Sequence, residues 1–581
     1  MQHIKGTTQI GVLKEVASSP EKLTDSLAKV IDRFKLKQYF SKFDALKAKG
    51  AAVSNLLTSL VIMPFVGAAS VYAMQKHGIL TSQDLQAKKD AYYTTKNSED
   101  IDWRFLLLSV AKQFAHLVRK ETEAAKQRIT AIVFDDTLLA KTGKGIEMIS
   151  MVHDHVGQSL ILGFKLMVCG FWDGGSFLPL DFVLHREKGT KQEFVAAQYF
   201  KATKIARATR ALAEKLKDAL SQKQNRLTCA EQAYSNKADK SGLNRLELAR
   251  CAHKKAENSL QVCEKQLVID DKAQKQAKKE LKRFYIKGRL FGLTAKERKQ
   301  QYKKAVSAKS HGFKRRKEAD LSKMDSMFAM LHRAVKNGFV PRYVLTDSWF
   351  FSEALVAHVK GIKNGIIDLV SMVKINNQVF ALRNSKVEIG VKPLLNANKG
   401  KSKRCRALHS HYIKCDCEYK GLAINLFFVK MGRSDKWHLI ATTDLGLDFI
   451  SLMQVYQIRW SIEVFFKECK QYLNLGGCKS SNFDAQIADT TISMIQHTML
   501  SYCKRINYET SFGDLFIGLH EERAEHNLVS KLMRLFWQLV EIFCDSSGFD
   551  FIAIQADIMQ NQQMLDKFAK LMPEKVLDNA A

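Results

Sequence analysis

A long segment without proline constrains the fold of this chain more than any other feature of its sequence. No proline occurs between Pro179 and Pro341, and Ala, Lys, Gln, Leu and Glu crowd the segment. These residues are strong helix formers, and proline is the residue that interrupts helices. We therefore expect a long antiparallel helical insertion or coiled coil, at residues 191–335, between two parts of a β-containing domain.

The positive charge of the chain is concentrated in this segment. The 581 residues carry 91 Lys and Arg against 59 Asp and Glu, a net charge of +32, and residues 201–320 alone carry 33 basic and 13 acidic side chains, a difference of +20. A basic surface of this size suits an anionic polymer, and its affinity would fall steeply with salt. A solvated helix face would explain the lysines but not the excess of one sign, so the asymmetry favours contact with DNA.

The remaining composition indicates folded domains in a reducing compartment. A hydrophobic fraction of 46% with 26% charged residues allows buried cores and excludes a disordered or fibrous chain. The eleven Cys residues, an odd number, lack the paired spacing of a secreted disulfide scaffold. The first residues also lack the charged and apolar regions of a signal peptide. We therefore expect a cytoplasmic protein with more than one module.

The first 100 residues have the apolar spacing of helices. Within them, residues 51–75 contain no charged side chain and are long enough to span a bilayer. Polar residues and Pro64 interrupt the run, which favours buried helices that break at Pro64 over a membrane span. Two interpretations of residues 1–100 stay open: a helical module that recognises DNA ends, or a helical cap on the main domain.

Two signals of buried strands end in aspartate. The apolar, β-branched run 129–134 stops at Asp135 and Asp136, and the run 339–346 stops at Asp347. Such runs, bounded by polar residues, are typical of strands. Residues 159–184 are rich in β-formers and glycine turns, and they fit two more strands of the same sheet. The sequence thus repeats one pattern, a strand followed by a carboxylate.

The last part of the chain changes from strands to helix. Residues 366–445 alternate short β-rich runs with a basic loop near 396–403, which predicts a β-rich insertion. On a single helix over 455–473, at roughly 100° per residue, four polar side chains share one narrow sector: Tyr456, Arg459, Glu463 and Lys470. A broader neighbouring face would be buried: Val455, Ile458, Ile462, Phe465, Phe466, Cys469 and Leu473. The simpler alternative is an amphipathic helix with one ion pair between residues four apart.

The spacing of the four polar residues resembles the YREK signature of DDE transposases of the insertion-sequence-four type. The resemblance extends to Asp136, which precedes Thr137 as in that family, and to Asp347, so it covers roughly residues 125–490. It implies an α/β fold with an RNase H-like core of mixed sheet and helices. The basic all-helical insertion, the β-rich insertion and helical N- and C-terminal regions would be additions to that core.

The resemblance implies that Asp136, Asp347 and Glu463 converge to bind two divalent cations, Mg²⁺ or Mn²⁺ in its place. Hard cations prefer oxygen ligands, and two of them about 4 Å apart can hold both the attacking and the leaving oxygen of an in-line displacement at phosphorus. Asp135 competes with Asp136, because strand alternation places the two on opposite faces and only one should coordinate. The family match puts the carboxylate directly before the threonine, which favours Asp136.

The resemblance also implies DNA contacts. Tyr456, Arg459 and Lys470 would bind the terminal phosphates of the element beside Glu463, since a guanidinium fork and an ammonium suit phosphate. Some members of the family stack a flipped base on a Trp of the β-rich insertion, and Trp437 lies in the matching region; a Trp of the core is the alternative. A further cluster could suggest zinc, although its spacing is poor for a structural site: Cys405, His409, His411, Cys415 and Cys417.

We therefore expect a DNA transposase that cuts and pastes an insertion sequence. Its partners would be duplex DNA at the element ends and the target, bound by a dimer, with no membrane. Two other classes stay open: a non-catalytic DNA-binding protein derived from a transposase, and an RNase H-like structure-specific nuclease. The expected segments are an N-terminal DNA-recognition region (1–100), two parts of the core (101–190 and 336–365) around the basic helical insertion (191–335), the β-rich insertion (366–445), the catalytic helix (446–490) and a helical C-terminal region (491–581).

Overall fold

The structure is a computed structural model with two compact units. It describes residues 25–66, 68, 70–76, 87–121, 128–154, 157–187, 190–283, 285–286, 289–290, 293–376, 378–383, 387–432 and 434–506, together with 540, 543–544, 550 and 553–554. The larger unit comprises Met1–Leu139, Lys165–His185 and Tyr302–Ala581, and the smaller unit comprises Ala140–Phe164 and Arg186–Gln301.

A mixed, mostly antiparallel open sheet forms the centre of the larger unit. The strands in chain order are β1 (Ala131–Ala140), β2 (Ser150–Asp154), β3 (Ser159–Trp172), β4 (Phe177–His185), β5 (Tyr285–Ile286), β6 (Arg289–Leu290), β7 (Tyr343–Thr346), β8 (Asp368–Val373), β9 (Val379–Leu382), β10 (Glu388–Gly390), β11 (Lys403–Cys405), β12 (Ser410–Tyr419), β13 (Leu422–Met431) and β14 (Trp437–Thr442). Their order in the larger unit is β10-β9-β12-β13-β14-β8-β7-β1-β3, with β11 on β12 and β4 on β3. The pairs β1–β7 and β7–β8 are parallel. This α/β architecture is consistent with an RNase H-like core.

The strands of residues 366–445 extend the central sheet. β8 pairs with β7, and β14, β13 and β12 follow in antiparallel order. The segment expected as an insertion thus shares one continuous sheet with β1. The loop expected near 396–403 also contains the end of a helix, Val391–Asn398.

Helices cover the sheet of the larger unit. The α-helices of the described residues, in both units and in chain order, are α1 (Asp25–Arg33), α2 (Leu36–Phe40), α3 (Val53–Ile62), α4 (Val71–Lys76), α5 (Lys89–Lys96), α6 (Trp103–Glu121), α7 (Thr190–Asn236), α8 (Lys240–Lys282), α9 (Ala295–Lys299), α10 (His311–Ala319), α11 (Lys323–Lys336), α12 (Glu353–Gly361), α13 (Val391–Asn398), α14 (Phe449–Gln457), α15 (Trp460–Tyr472) and α16 (Phe483–Ile506). A buried aspartate of β4, Asp181, accepts hydrogen bonds from Arg104 of α6 at 3.0 Å and Arg333 of α11 at 2.8 Å. These charge-assisted bonds attach two helices to the sheet.

The N-terminal helices pack into the larger unit. The helix break expected at Pro64 is confirmed, because α3 ends at Ile62 and a short 3₁₀ turn, Met63–Val66, precedes α4. Gln496 of α16 donates a hydrogen bond to the carbonyl of Val61 at 2.9 Å, and Arg33 donates one to the hydroxyl of Tyr502 at 2.9 Å. Among the described residues, no helix combines the length and the apolar content needed to cross a membrane.

An antiparallel coiled coil dominates the smaller unit. On both helices, one set of buried and half-buried positions recurs every three or four residues, which is the heptad pattern of a coiled-coil seam. On α7 they are Val195, Tyr199, Ala202, Ala206, Thr209, Ala213, Leu216, Leu220, Lys223, Leu227, Ala230 and Tyr234. On α8 they are Leu246, Ala249, His253, Ala256, Leu260, Cys263, Leu267, Asp270, Gln274, Ala277 and Leu281. Hydrogen bonds from Thr209 to Asp270 (2.7 Å) and from Gln274 to Thr203 (3.1 Å) fix the antiparallel direction.

The segment expected to be all-helical also contains strands. β5 and β6 form a short antiparallel pair, so the expectation of helix throughout 191–335 is wrong there. The sequence around this pair includes Gly288, and glycine is a poor helix former because ordering its backbone costs the most entropy.

Candidate active site

The parallel pairing of β1 with β7 places Asp135 beside Asp347. The register joins Ala131 to Tyr343 and Val133 to Leu345, and the same offset carries Asp135 to Asp347. Neighbours in register on parallel strands point to the same face of the sheet. The backbone N–H of Trp349 donates to Oδ1 of Asp347 at 2.9 Å, which orients this carboxylate just after the strand. β1 itself continues to Ala140, so the expectation that the strand stops at Asp135 is wrong.

Asp135 is held in an environment that disfavours its charge. Burial and the neighbouring charges of Asp347 and Asp136 raise the pKa of Asp135 to about 7, and Arg459 and a backbone hydrogen bond only partly oppose this rise. That bond runs from the N–H of Asp136 to Oδ1 of Asp135 at 2.8 Å. A carboxylate whose pKa is raised by a neighbouring carboxylate is suited to share a cation with it.

Asp136 is paired with two lysines instead. Nζ of Lys323 lies 2.9 Å from Oδ1 of Asp136, and Nζ of Lys165 lies 3.5 Å from Oδ2. Burial alone would raise the pKa of Asp136, but the two lysines outweigh it and hold this pKa below its usual value. Nearby, burial and Lys323 lower the pKa of His185 to about 4. The structure therefore brings Asp135, and not Asp136, together with Asp347.

The helix with the YREK spacing is interrupted at its second residue. α14 ends at Gln457 and α15 begins at Trp460, with Arg459 in the N-cap position. The N–H of Ser461 bonds to the carbonyl of Ile458 at 2.9 Å, a tight turn between residues three apart. The expectation of one continuous helix is therefore wrong. The expected apolar face is confirmed except at half-buried Ile458, because its other members are buried.

Arg459 joins the helix to the sheet. One guanidinium nitrogen lies 2.6 Å from Oε1 of Glu463, and the other lies 3.5 Å from Oδ2 of Asp135. Side-chain exposure is 16% for Arg459 and 19% for Asp135, against 33% for Glu463. A single cationic group thus lies between the carboxylate of the helix and the carboxylate of β1.

The other two members of the signature also lie near β1. Nζ of Lys470 donates to the hydroxyl of Thr137 at 2.6 Å, and Thr137, two residues after Asp135, shares its face of the strand. Tyr456 is buried, which raises its pKa to about 12. Within the described part of the chain, its hydroxyl has no hydrogen-bond partner. A buried hydroxyl without a partner is costly, so this atom is available to a ligand.

Two tryptophans lie at the same sheet edge. Trp437 begins β14, whose antiparallel register with β8 starts from that edge, and it is half-buried. Trp349, which the sequence interpretation missed, is 44% exposed, and Nζ of Lys323 lies 4.7 Å from its ring centre. An aromatic residue close behind a strand-terminal aspartate is the signal that could have identified it.

The carboxylates fit a divalent metal by their chemistry. Oxygen donors suit hard cations. Added positive charge would lower the pKa of Asp135, which is raised by burial and by neighbouring carboxylates including Asp347. In the conformation described here, Arg459 draws Glu463 to itself. Accordingly, no group of three or more His, Cys, Asp or Glu side chains is positioned as a metal site among the described residues, and this includes the cysteine and histidine cluster near residue 410.

Comparison with known proteins gives one finding. No curated protein matches this chain. A family model described as a transposase DDE domain matches residues 313–499. The matched range contains Asp347, Glu463 and Arg459, whereas Asp135 lies outside it. Residues 313–499 are therefore similar to the transposase DDE domain, which indicates a transposase-type enzyme of the polynucleotidyl transferase and nuclease class.

Proposed function

We propose that this chain is a DNA transposase of the insertion-sequence-four type. It cleaves the ends of its element and joins the freed 3′-hydroxyl to target DNA, a cut-and-paste reaction at phosphorus. The observation that carries this proposal is the in-register pair Asp135 and Asp347, joined through Arg459 to Glu463. The match of residues 313–499 to a transposase domain supports it.

Asp135, Asp347 and Glu463 are the proposed ligands of divalent metal, Mg²⁺ with Mn²⁺ as a substitute. When bound, such cations polarise the attacking oxygen and stabilise charge on the leaving oxygen. Asp135 takes the role that the sequence resemblance gave to Asp136, because Asp136 is neutralised by Lys323 and Lys165. Asp136 then attaches β1 to Lys323 of α11 and to Lys165 of β3.

Arg459 has two proposed partners in turn. Without DNA it pairs with Glu463 and Asp135. A DNA phosphate offers the guanidinium a bidentate partner of greater charge. Arg459 moves to this phosphate and releases Glu463 for its role as a ligand. Binding of the DNA end and completion of the carboxylate set are thereby coupled.

Tyr456 and Lys470 complete the proposed phosphate site. The hydroxyl of Tyr456, which has no partner among the described residues, donates to a phosphate oxygen, and Lys470 supplies a point charge from the far end of α15. Trp437 is the proposed platform for an extruded base at the same edge. Because two element ends are joined to one target, the active complex with duplex DNA is a dimer.

The test is a cleavage and joining assay with matched carboxamide variants. The purified protein is incubated with a labelled duplex of its element's end and a plasmid target in Mg²⁺, beside Asp135→Asn and Glu463→Gln. Glu468→Gln is the control, since Glu468 lies on the same helix but pairs with His497 at 3.0 Å. We expect nicking and joining by the wild type and the control, and binding alone by the other two.

Other outcomes would favour the rival classes. Binding without cleavage by every protein would support a DNA-binding protein without catalysis. Cleavage without joining would support a structure-specific nuclease. Cleavage that survives Asp135→Asn but not Asp136→Asn would restore Asp136 as the ligand.

A further inference from the structure

In the coiled coil of the smaller unit, lysines of α8 are concentrated on the face that points away from α7. The outer face of α8 is the set of heptad positions that point away from α7. These positions lie one, two and five residues after Leu246 and recur every seven residues up to Lys282. Seven lysines occupy this outer face: Lys254, Lys255, Lys265, Lys272, Lys275, Lys279 and Lys282. Its single acidic residue is Glu247. All seven lysines are exposed.

Two acidic residues of α8 beside the seam are neutralised by basic side chains of α7. Asp271 pairs with Arg210 of α7 at 2.8 Å, and Glu264 pairs with Lys217 at 3.2 Å. By contrast, none of the seven outer lysines has an ion-pair partner in the described parts of the chain. The outer face therefore carries a net charge of +6, seven lysines less Glu247, and no ion pair with a described residue compensates its lysines.

The outer face has the length and shape of a polyanion site. Lys254 and Lys282 are separated by 28 residues, or about 42 Å at a rise of about 1.5 Å per residue. Duplex DNA carries one negative charge per about 1.7 Å of its axis, so neutralising lysines release many condensed counterions. Leu248, Val262, Val268 and Ile269 lie among these lysines and are 60–71% exposed, so an apolar protein partner is the competing occupant.

We propose that the outer face of α8 binds the phosphate backbone of duplex DNA without reading its sequence. The uncompensated charge favours this occupant over an apolar partner, because burying seven unpaired ammonium groups against protein would carry a large desolvation cost. The choice of DNA as the polyanion rests on the proposed function, whereas the concentration of lysines on the outer face does not depend on it. Lysines in three successive heptads then each contact a separate phosphate.

The test compares two triple variants of equal charge. Lys265→Gln, Lys272→Gln and Lys279→Gln remove three lysines from the outer face, and Lys217→Gln, Arg250→Gln and Lys278→Gln remove three positive charges beside the seam. Binding of a mixed-sequence duplex without element ends is measured by fluorescence anisotropy between 50 and 200 mM salt. At about 0.9 per phosphate contact, the slope of log K against log salt becomes shallower by up to about 2.7 in the outer-face variant. The seam variant keeps the wild-type slope.

Three results would overturn the inference. They are an unchanged slope in the outer-face variant, an equal change in both variants, and a loss of self-association without any change in DNA binding. Circular dichroism establishes that both variants keep the helices. The cleavage assay of the wild type separates this inference from the proposed function: a wild-type protein that never cleaves DNA but shows the predicted slopes would retain the outer-face site and lose only the transposase assignment.

Discussion

Asn substitution at the two adjacent aspartates of β1 should change stability in opposite directions. Asp135 and Asp136 are neighbours of the same residue type and are similarly buried, with side chains 19% and 18% exposed. Asp135 faces another carboxylate, whereas Asp136 faces two ammonium groups. The pair therefore allows the proposed metal-binding carboxylate to be distinguished from a structural one by measurements of unfolding.

The magnitude for Asp135 follows from its pKa. Its ordinary value of 3.8 rises to about 7 in the folded protein, a shift of about 3 units, and each unit corresponds to about 1.36 kcal/mol. Between pH 4 and 7 the carboxyl group of Asp135 is deprotonated in the unfolded chain but still protonated in the folded protein, so the free energy of unfolding falls as the pH rises. Above pH 7 both states are deprotonated and the full destabilisation remains. Asp135→Asn should thus stabilise the metal-free protein at pH 8 by up to about 4 kcal/mol.

Asp136 should behave in the opposite way. Its lowered pKa means that its ion pairs stabilise the fold above its unfolded value of 3.8 and that this contribution is lost as the pH falls through the folded pKa. Asp136→Asn removes the anion that Lys323 and Lys165, 15% and 10% exposed, share. Removing one partner of such a buried pair costs about 3–5 kcal/mol.

The assay is urea unfolding at pH 5 and pH 8 with a chelator present. All six tryptophans fall within the residue ranges of the larger unit, so tryptophan fluorescence follows the unit that holds the site. Added Mg²⁺ should stabilise the wild type, since a ligand bound only by the folded state adds to its stability, and should not stabilise Asp135→Asn. Destabilisation by Asp135→Asn at pH 8, or a Mg²⁺ response that it retains while Asp136→Asn loses it, would refute the reasoning.

Three further substitutions test other parts of the structure. Asp181→Asn removes the shared anion of a buried arginine cluster and should lower the free energy of unfolding by about 3–5 kcal/mol; an unchanged urea midpoint would contradict this. Gly170→Ala should cost about 1–3 kcal/mol, because its Cβ would overlap the ring of Phe177 across the β3–β4 pair, and wild-type stability in the same assay would show that the ring can move. Tyr456→Phe removes a hydroxyl without a partner among the described residues, so stability should be kept while affinity for the element's end duplex falls; equal affinity in a gel-shift titration would exclude its phosphate contact.

Local patterns were sufficient for several features of the site. The strand that ends at Asp347 is visible in a short apolar run, and the buried face of α15 follows from helical spacing alone. The break before Trp460 has no such signal, since Arg459 and Ile458 keep helical dihedral angles and only the hydrogen bonds tighten.

The choice between Asp135 and Asp136 depends on contacts that no local pattern contains. Alternation along β1 shows that the two point to opposite faces, but not which face meets α15. That is decided by the pairing with β7 and by Lys323, both distant in sequence. For the same reason, the run of strands in residues 366–445 does not reveal that β8 pairs with β7.

The register of β1 with β7 makes the spacing of the two aspartates independent of the length of chain between them. Adjacent strands lie about 4.8 Å apart whatever connects them. The 211 residues that separate Asp135 from Asp347, the whole coiled coil included, can therefore lengthen, shorten or diverge without moving either carboxylate. Such a chain can acquire new surfaces while the distance between its two proposed metal ligands stays fixed by backbone hydrogen bonds.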